Sequence, residues 1–573
     1  PGDQMVLHLP KVWREPVQIT LPCEVRSGFR IVDEVRSRRG IQTQAQLAEW
    51  LKPNLAAEIE HLSIPGLNDV VARIEQAITK RERIMIFGDY DCDGETSTAI
   101  LVEGLRAASA DPTAVTWMVP NREHGYGLQD AYLPEVIDAD PQLLITVDCG
   151  SNDRGPITQL LAAGIDVVVI DHHQISNDVS DLVPVANPQR GDDANAQILV
   201  GAGLAWLVIR ALAAQCALGP DGAAIAERSL DLAAIGTIGD VGLLQGVNRA
   251  LVIAGAPAIR KAHRLGLKTL TRRMNLEPVS LNAESISMRL VPKLNGVGRI
   301  YTAALAIDLL LETNWDAAEE QVRQMLAIDL DRKQAQQAII DTISASLANG
   351  GAADQVLVLH DPAWKHGLVG AVASRMVNTV GRPLILLGGT GEMIGGSARS
   401  VAEWDIAQAL QQVPDGLLER TGGHSKAAGL ALRRDDLDAF RTAINAIFAE
   451  SGLTVPIPDT INLDADIEDD GLSIPMLQEL DRLGPYGNGN HRPMLRWQQV
   501  RISDLRAVGQ DQTTANFFVS HGMHRQKVVM FRSFDLVASL ADQTVDVVIQ
   551  AQIDMFKGQK QLNAQVVDMH PSD

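Results

Sequence analysis

The sequence predicts an α/β protein with a parallel-sheet unit, a long connecting helix, a second smaller α/β unit and a C-terminal β-barrel. Three observations lead there. Short apolar runs alternate with helical patterns after Ile84 and again after Val356. Residues 316–349 read as one long helix that is polar over most of its surface. From about residue 453 the pattern changes to six short strand-like segments with few helices. Strands separated by helices imply a parallel sheet, and clustered short strands imply a small barrel. At 573 residues the chain is too long for one core, and roughly three or four domains are expected. The divisions fall at 1–45, an N-terminal segment; 46–315, the first α/β unit; 316–349, the connecting helix; 350–452, the second α/β unit; and 453–573, the barrel.

Residues 1–45 carry little signal beyond a short helix near Ile31–Val35. Ala45–Leu51 and a segment from Pro53 to about Ile59 are helical, and Leu67–Ile78 is amphipathic with Val70, Val71 and Ile74 on one face. Strands follow at Ile84–Phe87, Val115–Val119, Leu143–Val147 and Asp166–Ile170, with helices after Gly94, over 157–163, 201–212 and 230–238. In the second unit, Val356–His360 and Pro383–Leu387 are strands and Gly370–Thr379 is a helix. Gly395-Gly396-Ser397-Ala398-Arg399-Ser400 reads as a glycine-rich turn, and Gly422-Gly423-His424 precedes a new element at Lys426. The barrel strands are 460–467, 498–505, 515–520, 527–531, 545–553 and 561–567.

The stretch Gly88-Asp89-Tyr90-Asp91-Cys92-Asp93-Gly94 places three carboxylates directly after a buried strand. Two further strands end in Asp148 and in Asp171-His172-His173, and a helix ends in Gly239-Asp240. Ligands in open α/β sheets sit beyond the carboxyl ends of the strands. Clustered anions there repel one another unless neutralised. A set of carboxylates and imidazoles without paired thiolates suits Mn²⁺ or Mg²⁺, with ligands enough for two ions. A solvated acidic turn, with Gly94 supplying positive φ, is the alternative for the first motif alone.

Composition narrows the classes further. Four cysteines form no CxxC pair, so neither structural zinc nor a disulfide framework is indicated, and a reducing cytoplasm fits. No run of about 18 apolar residues suggests a membrane span. The net charge of −21 argues against indiscriminate polyanion binding but leaves room for a local basic groove.

The motifs at residues 88–94, Thr146-Val147-Asp148, Asp171-His172-His173 and Gly239-Asp240-Val241 resemble, in order, those of the DHH phosphoesterase superfamily. Further stretches resemble its RecJ exonuclease family: Pro120-Asn121-Arg122, Gly125-Tyr126-Gly127-Leu128, Asn187-Pro188, Leu294-Asn295 with Gly298-Arg299, Ala373-Ser374-Arg375, Gly422-Gly423-His424 and Gly484-Pro485-Tyr486-Gly487. The resemblance covers nearly all the chain from about residue 80. It implies a DHH domain, a connecting helix, a DHH-associated domain and an OB-fold barrel. It also implies 5′-to-3′ degradation of single-stranded DNA to mononucleotides, in recombination and repair, alongside single-strand-binding protein and a helicase; a four-part chain with its own cleft need not be more than a monomer.

On this resemblance Asp91, Asp93, Asp148, His172 and Asp240 bind metal, and Asp89 and Asp171 bind metal or orient its ligands. His173 lies near the scissile phosphate or supports a metal ligand from behind. Ser374, Arg375, Arg399, Gly422, Gly423 and His424 grip phosphates, with Arg299 a further candidate. Lys293, where arginine is usual, becomes a point charge for phosphate. Cys92 and Cys149 are small buried side chains. Two α/β units facing each other across a cleft would admit only a single strand. In the barrel, Lys557 and Lys560 are strand contacts, while Phe517, Phe518, Phe531 and Phe556 are mostly core. Two rival functions remain: an oligonucleotide or cyclic-dinucleotide phosphodiesterase, and a non-catalytic DNA-binding scaffold. The extra barrel disfavours the first and the intact acids disfavour the second.

Overall fold

The structure, a computed structural model, describes residues 11–15, 25–122, 125–348, 354–468, 471–509, 511–556 and 559–572. Contacts divide the chain into two units, one of residues 48–331 and 484–491 and the other of residues 1–47, 332–483 and 492–573.

The first unit is built on five parallel strands in the spatial order Val115–Met118, Ile84–Phe87, Leu143–Val147, Asp166–Ile170 and Val185–Ala186. Side chains alternate across a strand, and here both faces are covered, so the strands read as unbroken apolar runs. Ile84, Ile86, Leu143, Ile145, Val147, Val168 and Ile170 enter the larger core with helices Cys92–Ala108, Gly201–Ala214 and Leu230–Gly239. Met85, Phe87, Leu144, Val167 and Val169 face the other way, against Leu128, Val136, Ile157 and Leu160. The two-residue strand Val185–Ala186 is too short to leave a sequence pattern.

The second unit holds a five-stranded sheet in the order Arg420–His424, Ala427–Arg433, Met393–Arg399, Leu384–Gly388 and Leu357–Asp361. The expected turn at Gly395–Ser400 is instead mostly the strand Met393–Arg399, and Gly422-Gly423-His424 lies in an edge strand. Crowding explains the first glycines. A Cβ on Gly396 would stand 1.9 Å from the Leu386 carbonyl oxygen, and one on Gly395 would stand 3.0 Å from the His366 ring. Glycine here permits close strand approach rather than a bend.

Five strands close the barrel: Leu495–Val508, Thr514–His521, His524–Met530, Gln559–Pro571 and Thr544–Phe556, the last pairing back to the first. The expected strand 460–467 is two short ones, Thr460–Asn462 and Ala465–Asp466. Strand Val12–Arg14 pairs in parallel with Thr460–Asn462. The Trp13 indole donates to the buried Asp568 carboxylate at 2.8 Å and stacks on His570 at 4.2 Å. Phe517 is core. Phe518 lies under the Arg525 guanidinium at 3.9 Å, and Phe531 is exposed. Lys560 is exposed, whereas Lys557 and the Phe556 side chain lie outside the described residues.

The long helix runs from Trp315 to Ala348. Among the described residues no helix is long and apolar enough to cross a membrane.

Candidate metal centre

Helix Cys92–Ala108 begins where the strand Ile84–Phe87 ends, and Asp91 is its N-cap. The Asp91 Oδ1 accepts the backbone N–H groups of Asp93 and Gly94 at 3.0 and 3.2 Å, satisfying donors that a helix start leaves unpaired. Gly94 sits inside this helix, where a Cβ would lie 2.5 Å from the Asp89 carbonyl oxygen. Its role is close approach rather than positive φ. The first helical N–H, that of Cys92, is taken by Asn295 Oδ1 at 3.0 Å. Asp93 Oδ2 and Oδ1 accept the N–H groups of Gly201 and Ala202 at 2.6 and 2.8 Å, at the start of helix Gly201–Ala214. The positive end of that helix favours the carboxylate.

Asp148 follows its strand with φ +61, a left-handed conformation that costs a non-glycine residue about 1–3 kcal/mol and concentrates at functional sites. His172 Nε2 stands 3.1 Å from Asp148 Oδ1, 3.7 Å from Asp93 Oδ2 and 3.9 Å from Asp240 Oδ2. Asp171 plays a different part. Its Oδ1 accepts the N–H groups of His172 and His173 and lies 2.8 Å from His173 Nδ1, while its Oδ2 accepts Ser151 N–H. It orients the two histidines, and protein donors occupy both of its oxygens. Tyr126 Oη donates to the Asp148 carbonyl oxygen at 2.8 Å and lies 2.7 Å from His173 Nδ1. An ionised Asp171 can only accept, so His173 Nδ1 carries a proton and Nε2 is left for a ligand. Asn187 Nδ2 donates to the His173 carbonyl oxygen and to Ser151 Oγ.

The electrostatics of this cluster are those of crowded carboxylates that call for a cation. Burial first, then neighbouring carboxylates, push the Asp89, Asp93 and Asp148 acids well above the usual range. Asp240 is raised to about 7 by burial and Asp91. Burial would raise Asp171 too, but the His173 hydrogen bond and charge hold it well below. Burial lowers His172 to about 4. For His173 burial also lowers, yet Asp171 overrides it and lifts the ring to about 9.

Among the described residues, Asp89 Oδ1 is buried without a hydrogen-bond partner, and Asp148 Oδ1 and His172 Nε2, though 3.1 Å apart, are buried without a hydrogen bond. Such atoms are costly unless something binds them. Asp93, His172 and Asp240 offer ligand atoms within 4.8 Å of one another; so do Asp89, Asp91 and Asp148, and so do Asp148, His172 and His173. Oxygen and imidazole donors in overlapping triads fit two hard divalent cations.

Among the other expected site residues, Arg299 is in the last turn of helix Val291–Ile300 and its charge acts on Tyr90 and Glu95 beside the acids. Arg122 lies over the Tyr90 ring at 3.9 Å. Lys293 is committed to a buried ion pair with Asp329 at 2.8 Å, so it is not a free phosphate contact. Cys92 and Cys149 are fully buried. In the second unit Arg399 Nε donates to Ser374 Oγ at 2.7 Å. Sheet register sets Arg399 and His424 on either side of Ala427, with Gly422 opposite Gly429 and Gly423 opposite Ala428. Arg375 is exposed beside Ser374.

Family models match three segments: the N-terminal domain of the DHH family at residues 83–237, the DHHA1 domain at 353–450 and the RecJ OB domain at 463–568. A crystal structure of exonuclease RecJ bound to manganese is 32% identical, with 69% of this chain and 97% of that one covered and a TM-score of 0.59. The chain belongs to the RecJ family of the DHH superfamily. Another family structure, that of RecJ with Mn²⁺ from Thermus thermophilus, matches over 98% of this chain and 80% of that one, at 28% identity and TM-score 0.79. The single-stranded-DNA-specific exonuclease RecJ of Bacillus subtilis is 28% identical over 95% of this chain and 68% of its own length. The family's domain order, DHH then DHHA1 then OB, is the order found along this chain.

The sequence motifs include Arg122, Tyr126 and Asn295 but assign them no role at the site, and Gly201 was missed altogether. The Gly201-Ala202-Gly203 run at a helix start was a usable signal, since glycine there lets a carboxylate approach backbone N–H groups. A Cβ on Gly201 would meet Asp148 and Asp93 atoms at 2.9 Å.

Proposed function

We propose that this chain is a single-stranded-DNA-specific exonuclease that hydrolyses phosphodiester bonds with two divalent cations, Mn²⁺ or Mg²⁺, and releases mononucleotides from the 5′ end. The observation that carries the reading is the set of buried ligand atoms without a hydrogen bond on Asp89, Asp148 and His172. Relatives named as single-stranded-DNA-specific exonucleases and a relative holding Mn²⁺ support it. Asp89, Asp91, Asp93, Asp148, His172 and Asp240 would hold two such cations, whose Lewis acidity would lower the pKa of an attacking water and offset charge on the phosphoryl oxygens. Asp171 and Tyr126 hold His173 so that Nε2 meets a phosphate oxygen. Arg299, with Arg375, Arg399, Ser374, His424 and the Gly422-Gly423 backbone, binds phosphates of the strand, where planar guanidinium groups suit paired oxygens. The barrel holds DNA through exposed cations and aromatics such as Arg525 and Phe531. The polarity rests on family membership alone. So do the role in recombination and repair and the association with single-strand-binding protein and a helicase. A reducing cytoplasm suits Cys92, Cys149 and Cys216, which form no disulfide among the described residues.

The test is digestion of a long single strand labelled at either end, with Mn²⁺ or Mg²⁺, beside Asp91→Ala. Early release of 5′ label as mononucleotide, absent in the variant and on blunt duplex, is expected. Early 3′ release overturns the polarity, and binding without cleavage overturns the enzyme.

A further inference from the structure

The Gly484-Pro485-Tyr486-Gly487 motif has no part in the chemistry above, yet it lies against the loop that follows Asp240. Helix Leu230–Gly239 ends with Asp240 as C-cap. The N–H of Val241 reaches the Ile238 carbonyl at 3.2 Å, and the N–H of Gly242 reaches Thr237 at 3.0 Å. This is a Schellman ending, whose left-handed position glycine normally fills. Here that position is Val241, at φ +58. A β-branched residue resists this conformation, and Val241 is largely exposed, so little packing holds it.

What holds it is the loop of residues 484–491. Asn488 Nδ2 donates to the Val241 carbonyl oxygen at 2.8 Å, and the Leu244 N–H donates to the Asn488 carbonyl at 2.8 Å. Gln245 Nε2 donates to the Gly489 carbonyl at 2.9 Å. A Cβ on Gly487 would stand 2.7 Å from Leu244 Cδ1, so the two loops touch. The loop itself is stiff. Gly487 and Asn490 exchange backbone hydrogen bonds at 3.0 and 3.1 Å, and Asn490 Nδ2 donates to Pro485 at 2.8 Å. The Arg249 guanidinium, stacked on Trp50 at 4.2 Å, donates to the Gly484 carbonyl at 2.6 Å.

We propose that the loop of residues 484–491 is a clamp, with Asn488 as the positioning residue, that keeps Val241 left-handed and so fixes the Asp240 carboxylate in the metal centre. This rests on the reading of Asp240 as a metal ligand. Partners of ligating groups typically change metal affinity 10–100-fold when removed, and Asn488 acts one residue beyond the ligand. The clamp makes a distinctive prediction: glycine at position 241 needs no clamp, because glycine enters the left-handed region freely.

The experiment uses the full chain and Mn²⁺ itself. Binding is followed by the electron paramagnetic resonance of free Mn²⁺ and by calorimetry, for wild type, Asn488→Ala, Val241→Gly, the double variant and Asp240→Ala. Asn488 is exposed, so its truncation leaves the core intact, and melting curves check each variant. Asn488→Ala is expected to weaken binding of one Mn²⁺ by about tenfold, and Val241→Gly in the same chain to restore it. Wild-type Mn²⁺ binding in Asn488→Ala, with or without a lower melting temperature, overturns the clamp. So does a loss that Val241→Gly fails to repair. Wild-type binding in Asp240→Ala overturns instead the metal role of Asp240 on which the clamp depends.

Discussion

Gly201→Ala tests whether the metal centre depends on a glycine that carries no functional group. The added Cβ would stand 2.9 Å from Asp148 Cβ, Asp148 Oδ1 and Asp93 Oδ2. Carbon–oxygen contacts settle at about 3.3–3.6 Å, so each oxygen must retreat by roughly 0.4–0.7 Å. Metal sites hold their distances within about ±0.2 Å. Asp93 is also tied to the Gly201 N–H at 2.6 Å, so it cannot retreat without stretching that bond. Overpacking of this kind costs about 1–3 kcal/mol, offset by up to about 1 kcal/mol from alanine's better helix propensity. The expected result is a 10–100-fold rise in the Mn²⁺ concentration for half-maximal hydrolysis of a labelled single strand. Gly203→Ala is the control. Its Cβ meets only the Leu199 side-chain tip at 3.0 Å and Leu251 at 3.7 Å, so it should leave metal dependence unchanged. Identical Mn²⁺ titrations for the two variants would refute the crowding argument.

Tyr126→Phe removes hydrogen bonds to the Asp148 carbonyl and to His173. It should lower kcat more than it raises KM for DNA, by about tenfold for a misoriented proton donor or acceptor, as steady-state kinetics would report. Metal removal should change the pH dependence of stability. Asp240, raised from an ordinary 3.8 to about 7, is destabilising when ionised. Metal-free protein should therefore lose stability as pH rises from about 4 to 7, while Mn²⁺ at 100 times its Kd adds about 2.7 kcal/mol; calorimetric melts with and without chelator check both. Glu103 behaves oppositely. Burial alone would raise it, but Arg264 and Arg228 overcome this and hold it low. Its stabilisation is present above an ordinary 4.5 and is lost as pH falls through the depressed value. Glu103→Gln should melt earlier than wild type at pH 7, and the gap should close in acid.

Much of this was legible in the sequence because the signals are local. Asp89, Asp148 and Asp171 each stand one or two residues beyond an apolar strand, and parallel topology carries such ends to one edge of the sheet. The partners that make the cluster precise were hidden by distance along the chain. Asn295 caps a helix 203 residues away, and Asn488 bonds to a carbonyl 247 residues away. No periodicity records such meetings. The Gly395-Gly396 strand was misread because glycine's preference for turns was overridden by strands packing too closely for a Cβ. The N-terminal segment was opaque for the same reason as the asparagines, since the pairing partner of Val12–Arg14 lies at Thr460–Asn462.

That pairing has a consequence for how the protein is made. Val12 and Thr460 are 448 residues apart, 460 minus 12. At about 5–20 residues per second, the first strand waits roughly 20–90 s on the ribosome for its neighbour. Residues 48–331 emerge meanwhile as one uninterrupted block with its own sheet and core. A nascent chain halted before residue 488 would already display the acids, but with Val241 unclamped. Synthesis of residues 460–488 thus completes both the sheet that holds Val12–Arg14 and the loop beside Asp240, a built-in delay between assembling the strand-end carboxylates and locking them.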